Sequence, residues 1–306
     1  MKIILLISAQ RGLRCLKALH SVLNAKDNLI VFSFEEEPWE PKFIGEIKEF
    51  CKENNYEFLV SKNINKNIET FNEVDMVFAI GWRYMISKEI YEKAKIGFFV
   101  FHDSLLPSYR GFGPTVWSIR NGEKYTGTTL FKISEFVDEG DILFQKKIEI
   151  AETDYIGDLV EKITHENEKI IQKAYKDIKN NEITLTKQNH EQATYSCKNI
   201  PDDFKINWKD TSKNIFNLIR SYSHPYPGAF TKFNDEKIII WTASIDNDSR
   251  SYVGFIPGRI KSINQNKTIS VFCGDGNSIT IHKIGESWEQ AEKPGFLIKS
   301  IGGTFE

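Results

Sequence analysis

Short runs of apolar, β-branched and aromatic residues alternate with helical patterns through the first half of the chain. KIILLISA (2–9) predicts a buried strand and 13–23 a helix. LIVFSF (29–34) predicts a strand with Asn28 as its turn residue, and Phe43 to Asn55 an amphipathic helix. EFLVSK (57–62), DMVFAIGW (75–82) and GFFVFH (97–102) read as strands, with a helix running from a Ser87 cap to Lys95 before the last. Strands alternating with helices build βαβ units, hence a mostly parallel sheet covered by helices on both faces. TGTTLFKI (126–133) and DILFQKKIEI (141–150) read as two more strands, and 154–180 as one long helix.

The pattern then changes. Residues 188–203 are polar and irregular, as in a linker. A short helix over 212–221 precedes four or five short β-like runs, drawn from AFTKF, KIIIWTASI, PGRIKSI, TISVFC and SITIHKI and separated by Gly and Asn turns. That spacing predicts a small barrel or sandwich. Trp208, Tyr222, Tyr226, Phe230 and Trp241 read as its core, with a base-stacking wall as the alternative.

Composition narrows the class. The 306 residues carry a net charge of −2, so no global field draws the chain to nucleic acid or an anionic membrane. Cys15, Cys51, Cys197 and Cys273 show no CxxC spacing and read as reduced thiols. The first apolar run is short, is followed by no small-residue cleavage site, and breaks at Gln10-Arg11-Gly12. No stretch approaches the ~20 apolar residues of a membrane span. A soluble, cytoplasmic protein is expected.

Candidate chemistry concentrates in FFVFHDSLLPSYRGFG (98–113) and FVDEGD (136–141). Open α/β sheets bind ligands at the carboxyl ends of their strands, and His102 ends a strand. A histidine held beside a carboxylate is a general base in a fixed tautomer, and Asp138 is the candidate partner. Asp103, Glu139 and Asp141 compete for that role; as acids at a turn they are weak grounds for a metal site, and none is expected. G-x-G-x-x-G and P-loop patterns are missing, so neither NAD nor ATP is expected. Arg11, Arg83 and Arg110 follow strands, where they can hold phosphate or carboxylate.

The run His102, Ser104, Leu105, Leu106, Pro107, Tyr109, Arg110, Gly111 resembles the signature of the folate-dependent formyltransferases. TGTTLFKISEFVDEGDIL (126–143) continues the resemblance, and the separation of His102 from Asp138, 138 − 102 = 36, also matches. GWRYMI (81–86) looks like the loop that holds the pterin ring. PDDFKINW (201–208) and IRSYSHPYPGAFTKF (219–233) resemble the start of the family's smaller domain. The resemblance implies a Rossmann-like catalytic domain over 1–190 and an OB-like β-barrel domain over 191–306. It implies transfer of a formyl group from N10-formyltetrahydrofolate to an amine, with His102 and Asp138 catalytic. Trp82, Tyr84, Met85, Ile86, Ser134, Phe136 and Val137 would hold the folate. Gln10, Arg11, Ser104, Arg110 and Gly111 would hold the acceptor.

One position departs from the family motif N-x-H, in which the asparagine hydrogen-bonds the formyl oxygen. Here it is Val100, whose side chain has no donor. His102, a main-chain N–H or a water takes over in the preferred reading; Thr128 or Asp103 does so in a second, and in a third the protein binds without catalysis. The motifs look most like the sugar N-formyltransferases, so the acceptor expected is a UDP- or dTDP-linked amino-deoxysugar. A precursor of a pseudaminic-acid-type sugar is the narrower suggestion, in a surface-polysaccharide pathway, and a homodimer is expected. The alternative acceptor is initiator methionyl-tRNA. The acidic loop EEEPWEPKF (35–43) has the wrong sign for its phosphates.

Overall fold

The structure, a computed structural model, describes every residue except Trp39, Asn247 and Ser249, so the tryptophan of the acidic loop lies outside the described residues. In chain order the elements are β1 (Lys2–Ile7), α1 (Ala9–His20), β2 (Asn28–Ser33), α2 (Ile44–Glu53), β3 (Glu57–Val60), β4 (Met76–Ile80), α3 (Lys88–Tyr91) and β5 (Gly97–His102). They continue with β6 (Arg110–Gly111), α4 (Pro114–Arg120), β7 (Tyr125–Lys132), β8 (Ile142–Glu149), α5 (Ile156–Lys179) and β9 (Tyr195–Ser196). The last are α6 (Ser212–Tyr222), β10 (Ala229–Phe233), β11 (Glu236–Ile245), β12 (Ile260–Ile263), β13 (Ile269–Phe272) and β14 (Ser278–Ile284). The chain divides into two compact units. The first comprises Met1–Pro114, Tyr125–Glu149 and Val160–Cys197, and the second Thr115–Lys124, Ile150–Leu159 and Lys198–Glu306.

The first unit is built on a seven-stranded sheet in the order β3-β2-β1-β4-β5-β7-β8. The pairs from β3 to β5 are parallel, and β7 and β8 add antiparallel on one edge. Continuous apolar runs suit strands buried on both sides. One face packs Ile3, Leu5, Phe78 and Phe99 against Leu16 of α1, Ile47 of α2 and Ile171 of α5. The other packs Ile4, Phe32, Val77 and Phe98 with Ile64, Phe71 and Ile90. Each such side chain contributes roughly 1.5–3 kcal/mol on burial. Strand order reverses between β1 and β4, which puts the ligand crevice at their carboxyl ends. β5, carrying His102, is the next strand over.

Two helices differ from expectation. α1 begins at Ala9 rather than residue 13, so Gln10-Arg11-Gly12, which end the apolar run, lie in its first turn. Glycine is required there, since a Cβ on Gly12 would stand 2.7 Å from Ile7 Cβ. The helix capped by Ser87 has four residues and stops well before Lys95. Ser87 serves through its carbonyl, which accepts from Ile90 N at 3.0 Å, and its side chain makes no capping bond. The chain is then drawn off as Lys95 N bonds Val74 O and Ile96 N bonds Asp75 O, which sets the register of β5 beside β4.

The second unit carries a five-stranded antiparallel sheet, β10-β11-β14-β13-β12. α6 is capped by Thr211, whose Oγ1 accepts from Asn214 N at 3.2 Å. Trp208, Tyr222 and Trp241 are buried. Their polar tips are satisfied: Trp208 Nε1 donates to Thr231 Oγ1 at 2.9 Å and Trp241 Nε1 to Gly285 O at 3.1 Å. Those three aromatics therefore act as core. Cys15, Cys51 and Cys273 are buried and Cys197 is exposed. Burial pushes the Cys51 and Cys273 thiols up to about 12, which makes them inert.

On β14, His282 lies 2.9 Å from Ser244 Oγ, and burial holds its imidazole below the usual histidine value of 6.5. The unfolded chain therefore takes up this proton more readily, and stability is lost as pH falls below that value. Urea unfolding of the second unit should show a midpoint that declines on acidification from pH 7, with a shallower decline in His282→Gln. Identical profiles for the two proteins would refute the assignment.

Candidate active site

His102 is delivered by the carboxyl end of β5 and is 8% exposed. Its Nε2 lies 2.7 Å from the Tyr109 carbonyl, and its Nδ1 lies 3.5 Å from Asp138 Oδ2. A carbonyl only accepts, so Nε2 carries the proton of the neutral ring and Nδ1 is left with its lone pair toward Asp138. At 3.5 Å the carboxylate acts through its charge rather than through a hydrogen bond. Orientation of the ring thus comes from a main-chain carbonyl, which no residue pattern announces.

Asp138 lies in the connection between β7 and β8. That connection is closed by Lys132 N donating to Asp141 O at 2.8 Å. Asp138 Oδ2 accepts from Gly111 N at 2.8 Å, tying the connection to the loop after β5. Tyr109 and Asp138 both have left-handed backbones, at φ +59 and +54. Such conformations are uncommon outside glycine and cluster at functional sites.

The residues expected to hold folate follow β4, the neighbour of β5, or precede Asp138 in its connection. Trp82 and Ile86, after β4, pack on the apolar cluster that also receives Val100. Tyr84 meets the Phe34 ring edge-on at 4.9 Å. Met85 is 80% exposed, and Phe136 and Val137, just before Asp138, are 67% and 55% exposed. Ser134 Oγ donates to Phe136 O at 3.3 Å, shaping that turn. Large apolar side chains presented to solvent after β4 and just before Asp138 fit a flat aromatic ligand such as a pterin.

The expected acceptor residues separate into two groups. Gln10 is exposed in the first turn of α1, Arg11 is ion-paired with Asp103, and Gly111 lies at φ +99 beside Ser196. Ser104 and Arg110 are fully buried. Ser104 Oγ donates to Ser108 O at 2.7 Å, and the Arg110 guanidinium is engaged by Gln188 and Glu139. Both turn inward: Ser104 satisfies a main-chain carbonyl of the loop, and Arg110 ties the loop to the Gln188 and Glu139 side chains. Of the candidate substitutes for the missing amide, Thr128 is fully buried and donates to Asn167 Oδ1 at 2.6 Å, and Asp103 is held by Arg11. Among the described residues no group of three or more His, Cys, Asp or Glu is arranged to hold a metal ion, and no helix is long and apolar enough to cross a membrane.

Residues 1–175 match the family model described as formyl transferase, and residues 198–293 match that of its carboxyl-terminal domain. The chain belongs to the formyl transferase family. This formyl transferase is 32% identical over 277 residues to a methionyl-tRNA formyltransferase of Kosmotoga olearia, covering 87% of the chain and 86% of that relative. It is 34% identical over 249 residues to the bifunctional polymyxin resistance protein ArnA of Wigglesworthia glossinidia brevipalpis, covering 80% of the chain but spanning only 38% of that longer protein. Among solved structures, it is similar to WlaRD, a sugar 3N-formyl transferase crystallised with dTDP and 5-N-formyl-THF. The TM-score is 0.70 at 22% identity, over 92% of this chain and 97% of that one.

Proposed function

We propose that this formyl transferase moves a formyl group from N10-formyltetrahydrofolate to the amine of a nucleotide-linked (UDP or dTDP) amino-deoxysugar. The observation that carries the reading is the meeting of His102 Nδ1 and Asp138 Oδ2 at 3.5 Å beside exposed apolar loops. When bound, formyltetrahydrofolate supplies an electrophilic formyl carbon. Met85, Phe136 and Val137 supply its apolar contacts, together with Trp82, Tyr84, Ile86 and Ser134. Gln10, Arg11 and Gly111 border the acceptor amine, with Ser104 and Arg110 shaping the loop behind them. His102 Nδ1 receives the proton released by the attacking amine. The Asp138 carboxylate then stabilises the imidazolium, while Tyr109 O keeps the ring from turning. The imidazolium gives the proton to the departing folate nitrogen as its bond to the formyl carbon breaks. Val100 offers no donor and the one N–H of the neutral His102 ring is given to Tyr109 O, so polarising the formyl oxygen falls to a main-chain N–H or a water.

The likeness to a sugar 3N-formyl transferase and the net charge of −2 support a sugar acceptor over transfer RNA. Residues 1–190 are the catalytic domain in this reading and 191–306 an OB-like domain. The protein is a cytoplasmic homodimer that needs no metal and feeds surface-polysaccharide synthesis, with a pseudaminic-acid-type precursor among the acceptors. The identity to a methionyl-tRNA formyltransferase favours a second reading, in which the acceptor is charged initiator tRNA. A panel of UDP- and dTDP-linked amino-deoxysugars, and charged initiator tRNA, incubated with N10-formyltetrahydrofolate and read by mass spectrometry, separates them. One sugar is expected to gain a formyl group while the tRNA does not. Formylation of the tRNA alone, falling steeply with salt, would establish the second reading. Folate binding with no product on any acceptor would leave a binding protein without catalysis.

A further inference from the structure

The groups that hold the catalytic pair come from a distant stretch of sequence, residues 188–196. Thr194 grips the loop after β5: its Oγ1 accepts from Tyr109 N at 2.9 Å and its carbonyl from Arg110 N at 2.8 Å. Gln188 grips the Asp138 turn. Its Nε2 donates to Asp138 O at 2.9 Å and to Gly140 O at 2.7 Å. Its Oε1 accepts from Arg110 Nη2 at 2.8 Å and from Nε at 3.3 Å. A carboxamide has two donor hydrogens and two acceptor lone pairs, and all four are engaged here. Gln188 is 5% exposed and Arg110 is fully buried. Arg110 also bonds Glu139 Oε1 at 2.9 Å, beside Asp138 in sequence.

We propose that Gln188 is a positioning residue for formyl transfer: by joining Arg110 to the Asp138–Gly140 turn it fixes the separation of Asp138 from His102. This rests on the reading of His102 and Asp138 as the working pair. At 3.5 Å no hydrogen bond between the two side chains sets their distance. It is set by Gly111 N, which holds Asp138 Oδ2 itself, and by Gln188, which holds the Asp138 main chain. Displacement of a catalytic group by about 1 Å can cost on the order of 10²-fold in rate.

Gln188→Glu tests this directly. It keeps an acceptor for Arg110, so the buried guanidinium stays paired, but it removes both donors to the turn and sets a carboxylate oxygen against two carbonyls. The full chain carrying it is expected to fold, with kcat lower by about 10–100-fold and KM for N10-formyltetrahydrofolate changed by less than about threefold. The 15N pattern of the His102 ring, which reports the proton on each nitrogen, is expected to change as well. Gln188→Met, which preserves volume and removes all four bonds, should show the same split with a lower unfolding midpoint. A folded Gln188→Glu with kcat within about twofold of the parent, or with kcat reduced and the ring pattern unmoved, overturns the proposal. A Gln188→Glu chain that fails to fold also overturns it, in favour of a role in stability alone. If the parent transfers formyl to no acceptor, the functional reading fails. The ring pattern still decides the positioning role, upheld by a change and overturned by its absence.

Discussion

Replacing His102 by asparagine is expected to lower formyl transfer by about 10²–10⁴-fold, the usual contribution of a positioned acid or base. N10-formyltetrahydrofolate binding should stay within a few fold. The shorter amide reaches only as far as Nδ1 stood, so the 2.7 Å bond from His102 Nε2 to Tyr109 O is lost. Lost with it is the basic Nδ1 facing Asp138, and an amide nitrogen has no lone pair to replace it. The apolar side chains assigned to the folate, Met85, Phe136 and Val137, lie on other segments and keep their places. Steady-state kinetics with a fluorescence titration of the folate separate the two effects. Activity above about a tenth of the parent would end the assignment of His102 as the proton acceptor.

The second large effect is expected at Gly140. A Cβ there would stand 1.6 Å from the Lys132 carbonyl oxygen and 3.3 Å from Phe131 Cδ2. The carbonyl cannot withdraw, because Lys132 is fixed by its bond to Asp141 O and by its pairing with Phe99 on β5. Gly140→Ala must therefore displace the whole turn that carries Asp138. A cost of at least about 3 kcal/mol is expected, the upper end of what overpacking does, together with loss of transfer in the fraction that folds. Gly45→Ala is the control: nothing lies within 4 Å of a Cβ on this residue of α2, and alanine there gains up to about 1 kcal/mol. Urea unfolding of the two variants beside the parent checks the contrast. Equal midpoints for Gly140→Ala and the parent would mean the turn yields far more easily than its packing implies.

How much of this was readable beforehand depended on whether the information lay in residue type or in chain geometry. The buried parallel strands were legible because their apolar runs are continuous, and β5 was legible as the strand that delivers His102. The β runs of the second unit were legible from their spacing and turns. The start of α1 was not, because its helical apolar spacing begins only at Leu13, and the close approach of Gly12 to Ile7 leaves no mark in residue type. The inward direction of Ser104 and Arg110 was hidden as well, since a loop motif does not say which side chains turn away from solvent. The partner that orients His102 is a main-chain carbonyl, which any residue supplies. Gln188 lies in a polar stretch that read as linker, yet Gln188 and Thr194 bond the loop after β5 and the Asp138 turn.

The central claim is that His102 and Asp138 act as one device in formyl transfer. The most direct test is single-turnover transfer of a 13C-labelled formyl group from N10-formyltetrahydrofolate to the best acceptor, by the parent, His102→Asn, Asp138→Ala and the double variant. Groups that act as a unit lose little more together than one does alone. The account predicts that the parent labels the acceptor amine and that the double variant is about as slow as His102→Asn alone. Losses that multiply in the double variant, or a parent that binds the folate and labels no amine, would contradict it.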